Sequence, residues 1–172
     1  IVTETPWLSA VVPLYNEEGN ISELAAQLQQ VFSEHDRYDF EVIFVENGSN
    51  DCTFEKMIEV HRSDPRFRIV QLSRNFRMDG GITAGLRYAR GDAAVYMDAD
   101  LQDPPELLPR LVEAWRNGAD VVHTVRTSRR GESALKLALT GWAYWLIGVF
   151  ADIDLTPEAG DFKLLSRRAV DQ

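Results

Sequence analysis

The chain has 172 residues, of which 45% are hydrophobic and 26% charged, a composition that excludes a disordered protein and suggests one domain of ordinary size. Its formal net charge of -9 argues against nonspecific binding to nucleic acid, which requires a basic surface. Cys52 is the only cysteine, so an intrachain disulfide and a cysteine-based zinc site are excluded.

Segments typical of strands alternate with segments typical of helices until about Gly131, where the alternation weakens. Asn20 and Glu23 are expected to form a capping box at the start of the first helix. In chain order, the sequence predicts a strand at 8–15, a helix at 20–32, a strand at 40–46, a helix at 53–62, a strand at 67–72, a helix at 80–89, a strand at 93–98, a helix at 106–116 and a strand at 120–125.

Strands separated by helices of this length predict an α/β fold with an open, mostly parallel, Rossmann-like sheet and helices on both faces. In such sheets the ligand site lies beyond the carboxyl ends of the strands. The segments that follow the five predicted strands should therefore meet at one edge of the sheet. They are YNEEGN, ENGSND, SRNFRMDG, DADLQD and TVRTSRRGES.

The segment DADLQD places acidic side chains directly after the fourth strand. Asp98 and Asp100 are two residues apart, so in an extended segment both carboxylates face the same way. Mg²⁺ prefers oxygen ligands and usually retains waters and substrate phosphates, and Gln102 supplies a third oxygen. The alternative is an ordinary solvated loop before a helix that begins with proline. The position after a buried strand, among four other strand-end loops, favours a metal site.

The loops after the other strands offer groups suited to a nucleotide. Pro13 closes the first strand, Tyr15 offers a ring on which a base can stack, and Glu17 offers a carboxylate to ribose hydroxyls or a base edge. Glu17 is equally typical of a helix start. Arg74 and Arg77 can neutralise phosphate, or they can pair with one of the many acids.

The segment LALTGWAYWLIGVF, at 137–150, is apolar but shorter than the roughly 20 residues that span a bilayer. It predicts either a buried helix or a helix lying at a membrane surface. In the second case Trp142, Tyr144 and Trp145 would lie at headgroup level, and the preceding basic residues favour that arrangement.

Several segments together resemble family 2 glycosyltransferases, and most closely the group of polyprenyl-phosphate sugar synthases. The resemblance extends from about Leu8 to the end of the chain. Its most specific part is DADLQDPPEL; the other parts are VVPLYNEEGNI, FVENGSND, LSRNF and GDFKLLSRRAV.

The resemblance implies a GT-A fold and transfer of a hexose, with inversion, from a UDP- or GDP-linked sugar to a dolichyl or undecaprenyl phosphate. It implies a membrane-associated enzyme at the cytoplasmic face that needs Mg²⁺ or Mn²⁺. The acidic composition indicates that nucleic acid is not a partner, and formation of a homo-oligomer is left open. Carried over by position, the nucleotide-binding residues are Pro13, Tyr15, Glu17, Val45, Asn47, Asp98 and Ala99; the metal ligands are Asp98, Asp100 and Gln102; the residues for the acceptor phosphate are Arg126, Arg130 and Lys136; and the catalytic residues are Asp98, Asp100 and Arg126.

The chain departs from the family pattern before the Gly-Ser pair, where two aspartates are usual and Glu46 and Asn47 stand here. We expect residues 1–172 to form one GT-A catalytic domain that lacks its C-terminal end and any membrane helices. Two other functions stay open. One is transfer to a sugar or protein hydroxyl, with Asp103 or Asp161 as base. The other is a catalytically silent nucleotide-binding domain.

Overall fold

The computed structural model describes residues 7–34, 38–125 and 159–172. Internal contacts divide the chain into two units, Ile1–His123 with Asp161–Gln172, and Thr124–Gly160. Within the described residues the strands are β1 (Trp7–Leu14), β2 (Asp39–Glu46), β3 (Phe67–Gln71), β4 (Ala93–Tyr96), β5 (Val121–Val125) and β6 (Ala159–Ser166), and the helices are α1 (Ile21–Glu34), α2 (Thr53–Ser63), α3 (Arg77–Tyr88), α4 (Leu108–Arg116) and α5 (Arg167–Val170).

The six strands form one sheet in the order β3-β2-β1-β4-β6-β5. β1 pairs in parallel with both β2 and β4, and β2 pairs in parallel with β3. β6 pairs with β4 in the antiparallel sense. The carboxyl ends of β1, β2, β3 and β4 therefore lie at one edge of the sheet, as the sequence predicted for the segments that follow them. Most of the fifth segment, TVRTSRRGES, lies outside the described residues.

Side chains of the central strands alternate between two apolar layers, one on each face of the sheet. Leu8, Ala10 and Val12 pack in the layer that contains residues of α1, α2 and α4. Val11 and Ile43 point the other way, into a layer that includes residues of α3. Because consecutive side chains of a strand point to opposite faces, continuous apolar strands require cover on both. The prediction of helices on both faces is confirmed.

Helix α3 lies unusually close to the sheet at Gly85. A Cβ atom added there would lie 2.2 Å from Cγ1 of Val11 and 2.9 Å from Cγ2 of Val45. Glycine is therefore required at this position for packing. This close contact packs α3 directly against β1 and β2.

The structure corrects three details of the sequence prediction. Residues 159–166 form a strand that the sequence did not indicate, and β6 lies between β4 and β5 in the sheet. The helix predicted at 106–116 is a 3-10 turn at Pro105–Leu107 followed by α4. The capping box is not formed, since the Asn20 backbone N–H donates to the Glu17 carbonyl at 3.0 Å and Glu23 Oε1 instead accepts from Gln27 Nε2 at 3.1 Å.

Among the described residues, no helix has the length and apolar character that crossing a membrane requires. The apolar segment at 137–150 lies outside the described residues, so its prediction as a buried or interfacial helix stays a prediction. The expectation of a single catalytic domain over 1–172 also stays a prediction.

Candidate active site

A cavity of about 320 Å³ opens at the carboxyl ends of β1, β2 and β4. Its volume is at the lower end of the range for small-molecule sites. All of its lining residues belong to the first unit of the chain: Pro13, Leu14, Tyr15, Glu17, Asn47, Asn75, Arg77, Met78, Asp98, Ala99 and Asp100.

The first wall of the cavity comes from the loop after β1. Pro13 is buried in the sheet, whereas Tyr15 is 41% exposed and therefore accessible to a ligand. Glu17 is held at two points, since its backbone N–H donates to Thr53 Oγ1 at 2.9 Å and its Oε2 accepts from Asn20 Nδ2 at 2.7 Å. The Glu17 carboxylate is thus oriented by the protein and keeps further acceptor capacity for a ligand hydroxyl.

Side chains from the β1–α1 and β2–α2 loops bind each other's backbone reciprocally. Asn16 N–H donates to Ser49 Oγ at 3.1 Å, and Asn50 N–H donates to Asn16 Oδ1 at 2.8 Å. A further bond runs from Cys52 N–H to Glu18 Oε2 at 2.8 Å. Because each loop satisfies polar groups of the other, this wall of the cavity is formed without a ligand.

The two residues that depart from the family pattern, Glu46 and Asn47, are both 3% exposed. Glu46 Oε1 accepts from the backbone N–H of Ser49 at 2.5 Å and so closes the turn after β2. The Asn47 amide bonds to the β3–α3 loop: its Oδ1 accepts from Phe76 N–H at 2.8 Å and its Nδ2 donates to the Arg77 carbonyl at 2.9 Å. Asn47 therefore lines the cavity and also fixes the loop that forms another of its walls.

The loop after β4 carries the two aspartates at the cavity. Asp98 is partly buried, and Asp100 is exposed. Asp100 Oδ1 accepts from Gln102 N–H at 3.0 Å across Leu101, whose φ is 62°. Asp103 is buried, and its Oδ2 lies 3.3 Å from the Asp98 backbone N–H, which donates to it. The turn is thus closed by its own carboxylates.

The donor set fits a magnesium or manganese ion that shares its shell with a ligand. Asp98 and Asp100 both line the cavity, whereas the exposed Gln102 does not. The described residues contain no cluster of three or more His, Cys, Asp or Glu side chains that would hold a metal alone. Mg²⁺ needs no such cage, because one or two carboxylates plus substrate phosphates and waters are its usual shell. The metal role of Gln102 stays a prediction.

The structure brings six of the seven predicted nucleotide-binding residues together at the cavity and leaves one away from it. The Val45 side chain is fully buried under α3, because even and odd residues of β2 face opposite layers, so its predicted contact cannot involve that side chain. The predicted acceptor residues Arg126, Arg130 and Lys136 lie outside the described residues and stay predictions.

The cavity also contains residues that the sequence analysis did not assign to the site. Asn75, Arg77 and Met78 line it from the β3–α3 loop. The position of Arg77 after a strand was a signal for phosphate, but the competing reading as an ion pair could not be excluded without the fold. Asn75 and Met78 carried no signal, because an amide and a thioether are unremarkable in any loop.

Residues 9–171 match the sequence model of glycosyl transferase family 2. The chain belongs to this family. One relative is an uncharacterised glycosyltransferase of Synechocystis. It is 42% identical to this chain, and the match covers 95% of this chain and 51% of that protein. A bactoprenol glucosyl transferase of Shigella phage SfX is 36% identical over 95% of this chain and 53% of its own. The chain thus spans about half the length of the curated relatives that it matches.

A solved glycosyltransferase structure has a similar fold. The glucosyl-3-phosphoglycerate synthase of Mycobacterium tuberculosis, in complex with Mn²⁺, UDP-glucose and phosphoglyceric acid, superposes with a TM-score of 0.66 at 22% identity. The match covers 95% of this chain and 57% of that one. The family 2 chain described here has a GT-A fold, and this prediction from the sequence is confirmed.

Proposed function

We propose that this chain is the catalytic part of an inverting hexosyltransferase that moves a sugar from a UDP- or GDP-linked donor to a polyprenyl phosphate. The observation that carries the proposal is the cavity that gathers Tyr15, Glu17, Asn47, Asp98 and Asp100 at the carboxyl ends of three parallel strands. Family membership supports sugar transfer, and the bactoprenol glucosyl transferases among the relatives support a polyprenyl phosphate acceptor.

The donor nucleotide would occupy the part of the cavity built from the β1 and β2 loops. The exposed Tyr15 ring offers a stacking surface for the base, and the oriented Glu17 carboxylate accepts from ribose hydroxyls. Asp98 and Asp100 would hold Mg²⁺ or Mn²⁺ against the diphosphate. When bound, such a cation takes up the negative charge that develops on the departing nucleoside diphosphate.

The proposed acceptor explains why the site needs no strong general base. A polyprenyl phosphate presents an oxygen that is already ionised at neutral pH, so its attack on the sugar requires cationic guidance and alignment. Transfer to a hydroxyl would instead require a carboxylate that removes a proton. Asp103, one of the two predicted bases, is buried and accepts from the Asp98 backbone N–H, which favours the phosphate acceptor.

Arg126, Arg130 and Lys136 are the proposed contacts to the acceptor phosphate. A polyprenyl phosphate keeps its headgroup at a bilayer surface, so we propose that the protein works at the cytoplasmic face of a membrane. The segment at 137–150, with Trp142 and Trp145, is the proposed contact to that surface.

The test is incubation of membranes from cells that produce the full-length protein with a panel of radiolabelled nucleotide sugars. We expect label from one donor to enter an organic-solvent extract in a form that mild acid releases, as for a sugar joined to a lipid phosphate. Membranes with Asp100→Ala protein, produced at the same level, serve as the control. Label that enters only water-soluble glycan or protein would contradict the lipid acceptor.

A further inference from the structure

Arg77 occupies a backbone conformation that arginine rarely adopts. Its φ is 63°, in the left-handed region where a Cβ atom is disfavoured, and it is the first residue of α3. Non-glycine residues persist there when the surrounding structure imposes the conformation, and such residues cluster at functional sites.

Two side-chain amides impose this conformation on Arg77. Asn47 accepts from Phe76 N–H at 2.8 Å and donates to the Arg77 carbonyl at 2.9 Å. Asn75 Oδ1 accepts from Arg77 N–H at 2.6 Å. Gly48 lets the loop approach the turn after β2, since a Cβ on Gly48 would lie 2.7 Å from the Asn75 nitrogen. The backbone N–H of Phe76 and both backbone polar groups of Arg77 thus have side-chain partners.

The result is a cation at the cavity that no acid among the described residues neutralises. The Arg77 side chain is exposed and lines the cavity together with Asp98 and Asp100. The ion pairs among the described residues do not include Arg77. Arg74, three residues earlier, does not line the cavity and instead stacks on the Phe76 ring, with its Cζ 4.2 Å from the ring centre.

The amide of Asn47 suits this arrangement better than the carboxylate that is usual in the family. A carboxylate could still accept from Phe76 N–H, but its second oxygen would face the Arg77 carbonyl, and two acceptors repel. Asn47, which departs from the family pattern, therefore helps to hold Arg77 in its left-handed conformation.

We infer that Arg77 binds the diphosphate of the donor nucleotide and that Asn47 is the positioning residue that aims it, an inference that rests on the proposed function. A guanidinium stays charged at physiological pH and can donate two parallel hydrogen bonds to phosphate oxygens. At this cavity the Arg77 guanidinium would share the charge of the diphosphate with the cation that Asp98 and Asp100 would hold.

The test compares binding of nucleoside, nucleoside monophosphate and nucleoside diphosphate, for uridine and guanosine, by calorimetry with Mg²⁺ present. Arg77→Gln and Arg77→Gly are the test variants; glycine tolerates the backbone conformation, so loss with both variants isolates the guanidinium from the strain. We expect diphosphate affinity to fall about ten- to hundredfold, and nucleoside affinity to stay within about twofold. Arg74→Gln is the matched control and should bind all ligands as the unaltered protein does.

The role of Asn47 is tested by a double-mutant cycle on diphosphate affinity. Asn47→Asp should weaken diphosphate binding in the presence of Arg77 and have little further effect in Arg77→Gly. Additive losses would reduce Asn47 to a structural role and overturn the positioning part of the inference.

Other outcomes separate this inference from the proposed function. Unaltered protein that binds neither diphosphate would overturn both. Diphosphate binding that is normal in Arg77→Gly, with loss of transfer to lipid, would assign Arg77 to the acceptor phosphate and overturn the donor assignment. Equal losses for nucleoside and diphosphate would also overturn it.

Discussion

At the scale of single residues, the proposed metal role of the carboxylates after β4 predicts how nucleotide affinity responds to a chelator. Asp100 is exposed at the cavity, and Asp98 lines it beside Ala99. We expect affinity for UDP or GDP to fall at least tenfold on addition of EDTA, and Asp100→Ala to show low affinity with or without the chelator. Calorimetry measures both, with circular dichroism to verify that the variant is folded. Unchanged affinity in both experiments would remove the metal role.

Arg126 provides a second test at a single residue, on the acceptor side. If its guanidinium meets the acceptor phosphate, Arg126→Ala should lower transfer to lipid about ten- to hundredfold, as expected for a charge-assisted contact of roughly 1.5–3 kcal/mol. Nucleotide affinity should stay within about twofold. Transfer assays and calorimetry on the same preparation measure the two effects. A parallel loss of nucleotide affinity would assign Arg126 to the donor instead.

At the scale of elements, the contact of α3 with the sheet depends on a missing side chain. In Gly85→Ala the added methyl group would overlap Val11 and Val45, and overpacking of this kind outweighs the gain in helix propensity. We expect the free energy of unfolding to fall by about 1–2 kcal/mol, measured by urea denaturation. Gly19→Ala is the control, since nothing lies within 4 Å of its added Cβ and the change should stay within about 0.5 kcal/mol.

The turn between α2 and β3 should make stability depend on pH. Arg66 bonds to the Asp64 carboxylate at 2.7 Å and, as the main cause, lowers its pKa to about 2, while Gln29 of α1 also donates to it. A carboxyl pKa that is lower in the folded state stabilises the protein above the unfolded value of about 4, and this stabilisation is lost as pH falls through 2.

We therefore expect Asp64→Asn to lower the free energy of unfolding by about 1–2 kcal/mol at pH 7 and by much less near pH 2. Urea denaturation at several pH values measures the difference. Glu59→Gln, which removes an exposed pair with Lys56 at 3.2 Å, is the control and should change stability by at most about 0.5 kcal/mol. If Asp64→Asn lowered the free energy of unfolding equally at every pH, the Asp64 carboxylate would not be the source of the pH dependence.

At the scale of the whole molecule, the sheet is completed by residues far apart in sequence. Arg167, directly after β6, donates from Nη2 to the carbonyls of Gly91 at 2.6 Å and Ala89 at 3.0 Å, which lie just before β4. Its backbone N–H donates to the Asp92 carbonyl at 2.9 Å. The residues after β6 are thus bound to the segment that precedes β4, the strand that leads to Asp98 and Asp100.

We expect Arg167→Ala to lower the free energy of unfolding by about 1–3 kcal/mol, since it leaves partly buried carbonyls without these donors. Arg168→Ala, which removes an exposed pair with Asp120, should lower the free energy of unfolding clearly less than Arg167→Ala does. Thermal and urea denaturation of both variants measure the contrast. Equal small losses would mean that backbone pairing alone holds β6 in place.

The sequence by itself determined the elements with strong periodicity and the edge of the sheet where the site lies. Apolar runs separated by amphipathic helices permit few arrangements, and parallel strands place their carboxyl ends together. Tyr15, Glu17 and Asp98 could therefore be assigned to one cavity before the fold was known. The spacing of Asp98 and Asp100 after a buried strand already favoured a metal, and the family resemblance added the nucleotide sugar and the polyprenyl phosphate.

Only the tertiary structure decided which side chains reach the cavity and which strands are neighbours. β6 pairs with β4 in the antiparallel sense across some 70 residues, and such long-range pairing has no local pattern in sequence. Val45 is turned into the core by the two-residue period of its strand, and Asn47 bonds to a loop thirty residues away. The sequence offered Arg74 and Arg77 alike for phosphate, and only the fold separates them. Arg77 lines the cavity and pairs with no acid among the described residues, whereas Arg74 does not line the cavity.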